Sequence, residues 1–575
     1  MKTGSRQFIK PFLASGEALR FNWNTALAID PIDKSTLYVG AQYVMKSTDH
    51  GATWEKISPD LTTNDPEKQK QATTGGLTLD NSGAENHTTI LTIAPSPLQK
   101  GVIWAGTDDG NVQLTTNGGQ TWTNLIGKMP GAPKQAWVAQ VRASSHSANE
   151  AFVVINNYRQ NDWSPYVYRT KDMGKTWTRI ANDQNVYGYA LSVIQDPVVP
   201  NLLFLGTEYG LYVSVDDAKT WTKWTSGYPT VSTMDMEIQP READLVLGTF
   251  GRAVWILDDI RPLRELARAG YNTVLAKDIK VFDAPTGYII NQGEANGYRS
   301  TGDGLYEGEN KKPSAWITFY LKGLKKVTDE KDSAKAVITV YDNYGKPIRS
   351  LKARPTQGFN RAMWDLDVKE TRMPDAKKPK EGAAEPGGRT VTPGNYKVVV
   401  SYNSFKDSTN VEVKLDPNIQ MTVNELNGKA ALIDALSTLA AGATSRTDRL
   451  NEAKETVELI LAQLKAREKS EANNRLKQQA DTIKSKINKL VLRINPREDI
   501  QGFSDDPSLV SEQLSTARRF LQDTTFPVTE TQKRVLSATE KGIQPVMDDV
   551  DAFFSTDWPS FKKAVSDSHF SLFTN

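Results

Sequence analysis

Four carboxylates fall in short turns of a kind that can hold a reacting bond between them. They are Asp108 and Asp109 in "GTDDG", Asp162 in "RQNDW" and Glu208 in "GTEYG". Two acids about 5–10 Å apart are the equipment of glycoside cleavage: one protonates the leaving oxygen, the other serves as base or nucleophile. Tyr43, His87, Arg159, Trp163, Tyr209 and Arg252 lie in equivalent turns or at the end of the long connection 58–87. Acids, cations and aromatics gathered on one rim suit a sugar or a peptide. Acids also favour turns for purely conformational reasons, so residue type alone does not separate catalysis from structure.

Other chemistries find less support. The 575 residues include no cysteine, which excludes disulfides, thiolate metal sites and cysteine nucleophiles. The four histidines (His50, His87, His146, His569) are scattered, so no histidine-rich metal site is expected, and no cofactor. HExxH, GxSxG and phosphate-cradling glycine loops are missing from the chain. With 70 basic and 68 acidic side chains the formal charge is only +2, unlike a nucleic-acid binder. No apolar run approaches the roughly 20 residues of a membrane span, and the first 21 residues do not read as a signal peptide.

The elements that position these turns are repeated. "STDHGATW" (47–54) returns as "TTNGGQTW" (115–122), "TKDMGKTW" (170–177) and "SVDDAKTW" (214–221). Strand-like runs rich in β-branched and aromatic residues precede each copy, as in "TLYVG", "VIWAG", "AFVVI" and "LLFLG", and a short one follows it. A fifth copy, "DLVLGTFGRAVWILDD" (244–259), keeps its strands but lacks the threonine–tryptophan ending. The box acids or their equivalents, at 49, 117, 172 and 216, are 68, 55 and 44 residues apart. The unit is therefore four strands and three turns, close to the period of a propeller blade with loop insertions. In each box the acid and hydroxyl tie a turn, the glycine supplies an unusual backbone conformation, and the tryptophan wedges between blades. Those structural positions are Ser47, Asp49, Gly51 and Trp54; Asn117, Gly119 and Trp122; Asp172, Gly174 and Trp177; Asp216 and Trp221. Asn117 replaces the acid and Ala218 the glycine, so those two turns are expected to be weaker.

The motif S/T-x-D-x-G-x-T-W resembles the Asp-box, or bacterial neuraminidase repeat, and the span 21–260 resembles bacterial sortilin (VPS10)-like proteins. "RFNWNTALAIDP", "KSTDHGATWEKISPDLT" and "GTFGRAVWILDDI" carry the likeness. It implies an Asp-box β-propeller over 1–262, with about five blades present. The resemblance further implies more blades than five, so the chain reads as the C-terminal part of a longer protein or as one needing a partner chain to close its ring. It also implies a secreted, cell-surface or periplasmic setting and a non-catalytic role, binding a protein or peptide or serving as a subunit of a surface assembly. The alternative is a glycoside hydrolase, sialidase-like or other, using the rim carboxylates.

Two more regions follow. Residues 270–417 contain strand-like runs such as "AVITVYDNYGKPIRSL" and "VTPGNYKVVVSYN", spaced for an antiparallel sandwich. "NRAMWDL" followed by "TPGNYKVVV" resembles the immunoglobulin-like domain of flagellar-hook-cap type. Between them, 373–390 is rich in Lys, Pro, Gly and Ala and is expected to be a mobile loop. From 420 to 575 apolar residues recur at three and four, as at Leu476, Ala480, Ile483 and Ile487, predicting a helical hairpin or bundle. Asn495–Pro496 ends one helix, and "STDWPSF" is expected to end the last.

Overall fold

The computed structural model describes residues 6–13, 16–70, 83–290, 311–324, 335–380, 382–465, 470–496, 506–522 and 527–568. The chain is mainly β, built of small antiparallel sheets, with helices toward its C-terminus. It divides into two compact units, Met1–Lys277 and Asp278–Asn575.

The first unit holds five sheets in chain order, each a simple meander. Sheet 1 is Leu27–Ile29, Leu37–Gly40, Val44–Ser47 and Glu55–Lys56; sheet 2 is Ile90–Pro95, Ile103–Thr107, Val112–Thr115 and Thr123–Asn124. Sheet 3 is Trp137–Ala143, Ala151–Asn157, Asp162–Thr170 and Thr178–Ala181; sheet 4 is Ala190–Gln195, Leu203–Thr207, Gly210–Ser214 and Thr222–Lys223. Sheet 5 has three strands, Thr233–Gln239, Asp244–Thr249 and Val254–Leu257.

The second strands of sheets 2, 3 and 4 are buried along their whole length. That is why their sequences are continuous apolar runs rather than alternating ones: each sheet is covered on both faces by its neighbours. Tyr38 and Val44 of sheet 1 meet Ile90 and Ile103 of sheet 2. Trp104 meets Val138 and Val153, Phe152 and Val154 meet Leu203 and Leu205, and Leu211 and Val213 meet Met236, Leu245 and Leu247. First strands from all five sheets line a common central space of about 780 Å³. Gln140 Nε2 donates to Asp235 Oδ1 (3.2 Å) across it, and Arg142 pairs with Glu237 (2.7 Å).

The two flanks of the array differ from its middle. In sheet 4 Leu211 pairs with Gly206; in sheet 5 Val254 pairs with Gly248. Val254 and Ile256 thus occupy the places of Leu211 and Val213, yet are 65% and 57% exposed where those are buried. Leu27 and Ile29 on the first strand are likewise exposed.

The four box turns share one hydrogen-bond scheme. Asp49 Oδ1 accepts from Thr53 N (2.9 Å) and Ser47 Oγ (2.7 Å), while Gly51 N donates to Ser47 Oγ (2.8 Å). Asp172 and Asp216 repeat it with Thr176 and Thr220. Asn117 repeats it too: Oδ1 accepts from Thr121 N (3.0 Å), and Nδ2 donates to Thr121 Oγ1 (2.9 Å) with the hydroxyl now accepting. Glycine is required by close approach at Gly119, where a Cβ would lie 2.4 Å from Ile57 O. Ala218 takes the equivalent place at φ 62°, a left-handed conformation that costs a residue with a Cβ about 1–2 kcal/mol. Each tryptophan leads into the fourth strand; Trp122 Nε1 donates to Ile57 O (3.0 Å) and Trp221 Nε1 to Ile180 O (2.8 Å), tying these two boxes to the preceding sheet. After sheet 5 come two short helices that periodicity did not announce, α1 (Arg261–Ala269) and α2 (Tyr271–Leu275). Arg264 of α1 pairs with the fully buried Asp196 (2.8 Å).

In the second unit a three-stranded sheet (Ile279–Val281, Ala315–Leu321, Gly358–Trp364) shares one apolar cluster with a five-stranded sheet. Phe319 and Trp364 from the first meet Ile338, Val398 and Val411 from the second. Part of the segment expected to be mobile, Gly387–Thr390, is a strand paired with Asp367–Lys369. Four longer helices follow: α3 (Val423–Lys465), α4 (Glu471–Ile494), α5 (Val510–Leu521) and α6 (Glu530–Ala552), with Leu450, Val457, Ile483, Ile487, Leu514 and Ile543 in one core. "STDWPSF" does not end the last helix. The chain passes through a wide π turn at Phe553–Asp557 into α7 (Trp558–Asp567), because Pro559 falls at the start of a helix, where its missing N–H costs nothing.

Candidate functional site

The rim opposite the box turns brings together much of what the sequence nominated. Asp108 and Asp109 lie in the hairpin of sheet 2 and are essentially inaccessible. Asp108 accepts from Thr89 N (2.8 Å) and Thr89 Oγ1 (2.7 Å); Asp109 accepts from Thr63 N (2.6 Å), Thr63 Oγ1 (2.7 Å) and Thr107 Oγ1 (2.5 Å). Their oxygens hold Thr63 and Thr89 against this hairpin. His87 Nδ1 lies 3.3 Å from Asp108 Oδ2, so a buried acid orients the imidazole. Residues 71–82 of the connection 58–87 lie outside the described residues.

Sheets 3 and 4 carry an aromatic floor. Tyr158 stacks on Tyr189 with ring centroids 4.7 Å apart, and Trp163 lies 6.1 Å from Tyr158 and 5.7 Å from Tyr189. Tyr187 and Tyr209 form a second pair at 4.9 Å. Trp163 is half exposed and Tyr187 more so. Asp162, next to Trp163, accepts from Tyr166 OH (2.8 Å), Asn157 Nδ2 (3.0 Å) and Ser164 N (3.1 Å). Burial alone would raise its pKa; the hydrogen bonds from Asn157, Ser164 and Tyr166 outweigh burial and lower it.

Glu208 behaves in the opposite way. Its backbone N–H donates to Tyr189 O (3.1 Å), which sets it beside the floor, but its buried Oε2 has no hydrogen-bond partner. Burial therefore pushes its carboxyl above the usual range. Its charge is felt by Tyr189, whose hydroxyl is pushed up to about 12 by burial and then by Glu208, and by Tyr209. Burial thus raises one carboxyl of this rim, Glu208, while hydrogen bonds lower another, Asp162, whose carboxylate turns toward Tyr166 and Asn157 on the face of its strand opposite Trp163.

The remaining nominees are placed apart from this floor or serve other contacts. Tyr43 donates its hydroxyl to Glu17 and lies under Lys56, whose Nζ is 4.3 Å from the ring centroid. Arg252 contributes a backbone carbonyl to Trp255 Nε1 (2.9 Å). Arg159 stacks on Trp137, its guanidinium carbon 3.4 Å from the ring centroid. Sequence reasoning missed Trp137, Tyr158, Tyr187 and Tyr189. The signal was present in "VYGYA", where two tyrosines precede the first strand of a repeat and so fall on the rim shared with the second-to-third-strand turns. Among the described residues no group of three or more His, Asp or Glu side chains could hold a metal, and no helix is long and apolar enough to cross a membrane.

Two proteins similar to this chain are xyloglucanases. An oligoxyloglucan-reducing end-specific xyloglucanase of Emericella nidulans is 33% identical over 108 residues, 19% of this chain and 13% of that protein. A xyloglucanase of a Paenibacillus species is 26% identical over 244 residues, 38% of this chain and 22% of that protein. The matches therefore span less than a quarter of either relative. Among solved structures, the GH74 enzyme of Niastella koreensis is similar at 19% identity and a TM-score of 0.30, over 41% of this chain and 36% of that one. No family model matches. These relatives correct the expectation of a non-catalytic protein- or peptide-binding protein: the likeness in sequence is to hydrolases. The box motif misled because enzymes and binders share it, so it reports the scaffold and not the chemistry.

Proposed function

We propose that this chain belongs to a glycoside hydrolase acting on a polysaccharide, and that its five sheets are blades of a β-propeller bearing the sugar on their rim. The observation that carries the reading is the Glu208 carboxyl, its Oε2 buried without a partner, on the rim that also carries the rings of Tyr158, Trp163 and Tyr189. Glu208, whose carboxyl burial raises above the usual range, is the general acid that delivers a proton to the glycosidic oxygen. Asp162, kept ionised by three hydrogen bonds, is the base that activates water or the nucleophile that attacks the anomeric carbon. The rings present broad apolar faces to the C–H faces of sugar rings and hold the chain in register. Similarity to xyloglucanases supports the reaction class. Polymeric substrate in turn favours a secreted or envelope location.

The test is hydrolysis by the purified protein across a panel of β-glucans, xyloglucan, xylans and acidic polysaccharides, with product anomers followed by NMR. Release of oligosaccharides from at least one polymer, lost in Glu208→Gln and Asp162→Asn, is the expected result. Cleavage by wild type that survives both substitutions would move the site elsewhere, and no cleavage of any polymer would remove the proposal.

A further inference from the structure

The array of five sheets ends in two complementary defects. Sheets 1 to 4 each have a fourth strand after their box, and sheet 5 has none. Among the described residues no strand pairs with the outer edge of Val254–Leu257, and the chain turns from it into α1. Val254 and Ile256 stand bare on this sheet. An open strand edge beside exposed apolar side chains is a template for an added strand.

The other flank carries the tail of a fourth strand. In sheets 1 and 2 the residue three positions past the box tryptophan packs on the box glycine of the next sheet. A Cβ on Gly119 would lie 2.9 Å from Ile57 Cβ, and one on Gly174 would lie 2.4 Å from Leu125 Cδ1. No sheet precedes sheet 1 among the described residues, yet the same place on its box is filled: a Cβ on Gly51 would lie 2.8 Å from Ile9 Cβ. The match continues along the chain. Leu61 and Met129, four residues past Ile57 and Leu125, are buried between their own sheet and the next. Leu13, four past Ile9, packs on Val39 and Met45 of sheet 1. "IKPFL" (9–13) and "ISPDL" (57–61) share their Ile, Pro and Leu. Residues 6–13 thus lie on sheet 1 as the end of a sheet whose other three strands are not beside them.

One flank holds a tail without its strands; the other holds three strands without their tail. Within one copy the two do not pair, since Val254 and Ile256 stay exposed. We propose that they meet between two copies of this chain: residues 6–13 of each copy add to Val254–Leu257 of the other as the missing fourth strand. Each junction lays the bare face of sheet 5 against the flank of sheet 1 that carries Leu27 and Ile29. A two-fold pair then closes the ring at both ends and leaves no edge for a third copy. The complete sheets set the register. The N–H groups of Ile57, Leu125 and Trp224 donate to the carbonyls of Val44, Val112 and Leu211 (3.0, 2.7 and 2.8 Å). Val254 holds the place of Leu211, so Ile9 N–H of one copy reaches Val254 O of the other. Phe8 then stands opposite Trp255 and Gln7 opposite Ile256, as Lys56 stands opposite Met45 and Glu55 opposite Lys46. Phe8, 76% exposed in the single copy, covers Trp255, which is only partly buried against sheet 4. A second copy supplies both missing pieces at once, which a partner of another kind does not. The inference rests on sheet packing and is independent of the hydrolase reading.

The experiment uses the full chain. Sedimentation velocity over a concentration series is expected to show a reversible dimer and nothing larger. Amide exchange at Val254–Leu257, fast in the dilute single chain, slows as the dimer forms. Ile256→Arg changes a side chain that is exposed in the single copy, so the chain still folds, with an unaltered Tm when dilute. It puts an unpaired charge into the junction and weakens association about tenfold or more. The chain has no cysteine, so introduced ones report the register directly. Opposite positions of an antiparallel pair lie within disulfide reach. Chains bearing Gln7→Cys mixed with chains bearing Ile256→Cys are expected to form a linked heterodimer under mild oxidation. Gln7→Cys mixed with Tyr344→Cys, a fully exposed site in the second unit, does not. The proposal is overturned if the chain is monomeric at every concentration, or if it forms a dimer that the cysteine pair does not capture. A Gln7→Cys, Ile256→Cys double variant that closes its bond within one monomeric chain makes the occupant the chain's own N-terminal segment. A monomer that forms no such bond leaves the face to a different polypeptide. Both results also overturn it.

Discussion

Glu208 donates its backbone N–H to the carbonyl of Tyr189 while its own Oε2 is buried without a partner. A main-chain bond fixes the position of the acid, and nothing ties down its charge. Replacing Glu208 by Gln keeps the shape and removes the proton. The expected loss in kcat is roughly 10²–10⁴-fold, with the binding of oligosaccharide retained. Steady-state kinetics beside a binding titration checks it; parallel loss of both would mark Glu208 as merely structural.

The pH profile follows from the two shifts. In the proposed reaction Glu208 carries the proton, so activity is expected to fall as pH rises through its raised pKa. In that reaction Asp162 is the ionised partner, so activity is expected to fall as pH drops through its lowered pKa. Tyr166→Phe removes one of the hydrogen bonds that keep Asp162 ionised. The acidic limb of kcat/KM is expected to move to higher pH in that variant, with the alkaline limb unchanged. A shift of the alkaline limb instead would exchange the roles of the two acids.

The box turns supply their own control. Hydrogen bonds led by those from Thr53 and Thr176 hold Asp49 and Asp172 at about 2. A depressed carboxyl contributes stability that is complete above its unfolded value near 4 and is lost as pH falls toward 2. Asn117 makes the same ties without titrating. The double variant Asp49→Asn, Asp172→Asn is therefore expected to match wild-type Tm at pH 7 and to lose less Tm than wild type between pH 4.5 and 2.5. Calorimetric melts across that range decide it.

The box tryptophans divide into two classes. Trp221 Nε1 donates to Ile180 O, whereas Trp177 Nε1 is buried without a partner. Trp221→Phe leaves that carbonyl bare and should cost about 1–2 kcal/mol more than Trp177→Phe in urea unfolding. Equal losses would show that packing, not the hydrogen bond, fixes the tryptophan at this position.

The boxes were legible because their ties are local: Asp49 reaches residues two and four positions away. The retained scheme at Asn117 was not, since an amide can accept from a backbone N–H as an acid does and reverse its bond to the hydroxyl. Asp108 and Asp109 looked like catalytic acids because their partners, Thr89 and Thr63, are 19 and 46 residues away. Glu208 was nominated by its turn, but its raised pKa depends on burial beside Tyr189, which the pairing of the first two strands of sheet 4 creates. Trp137, Tyr158 and Tyr189 become a surface only when sheets 3 and 4 are adjacent, and no single repeat contains it.

Leu211 and Val213 are buried where Val254 and Ile256 are not, although the four occupy equivalent places. Sheets stacked one upon the next share their stability with nearest neighbours, so resistance to local opening should be graded along the array. Amide protons of Val254–Leu257 should exchange with solvent soonest, and those of Ala151–Asn157 and Leu203–Thr207 last. The aromatic floor stands on sheets 3 and 4, away from the flank that loosens first, so a molecule fraying at its edge keeps that aromatic surface intact.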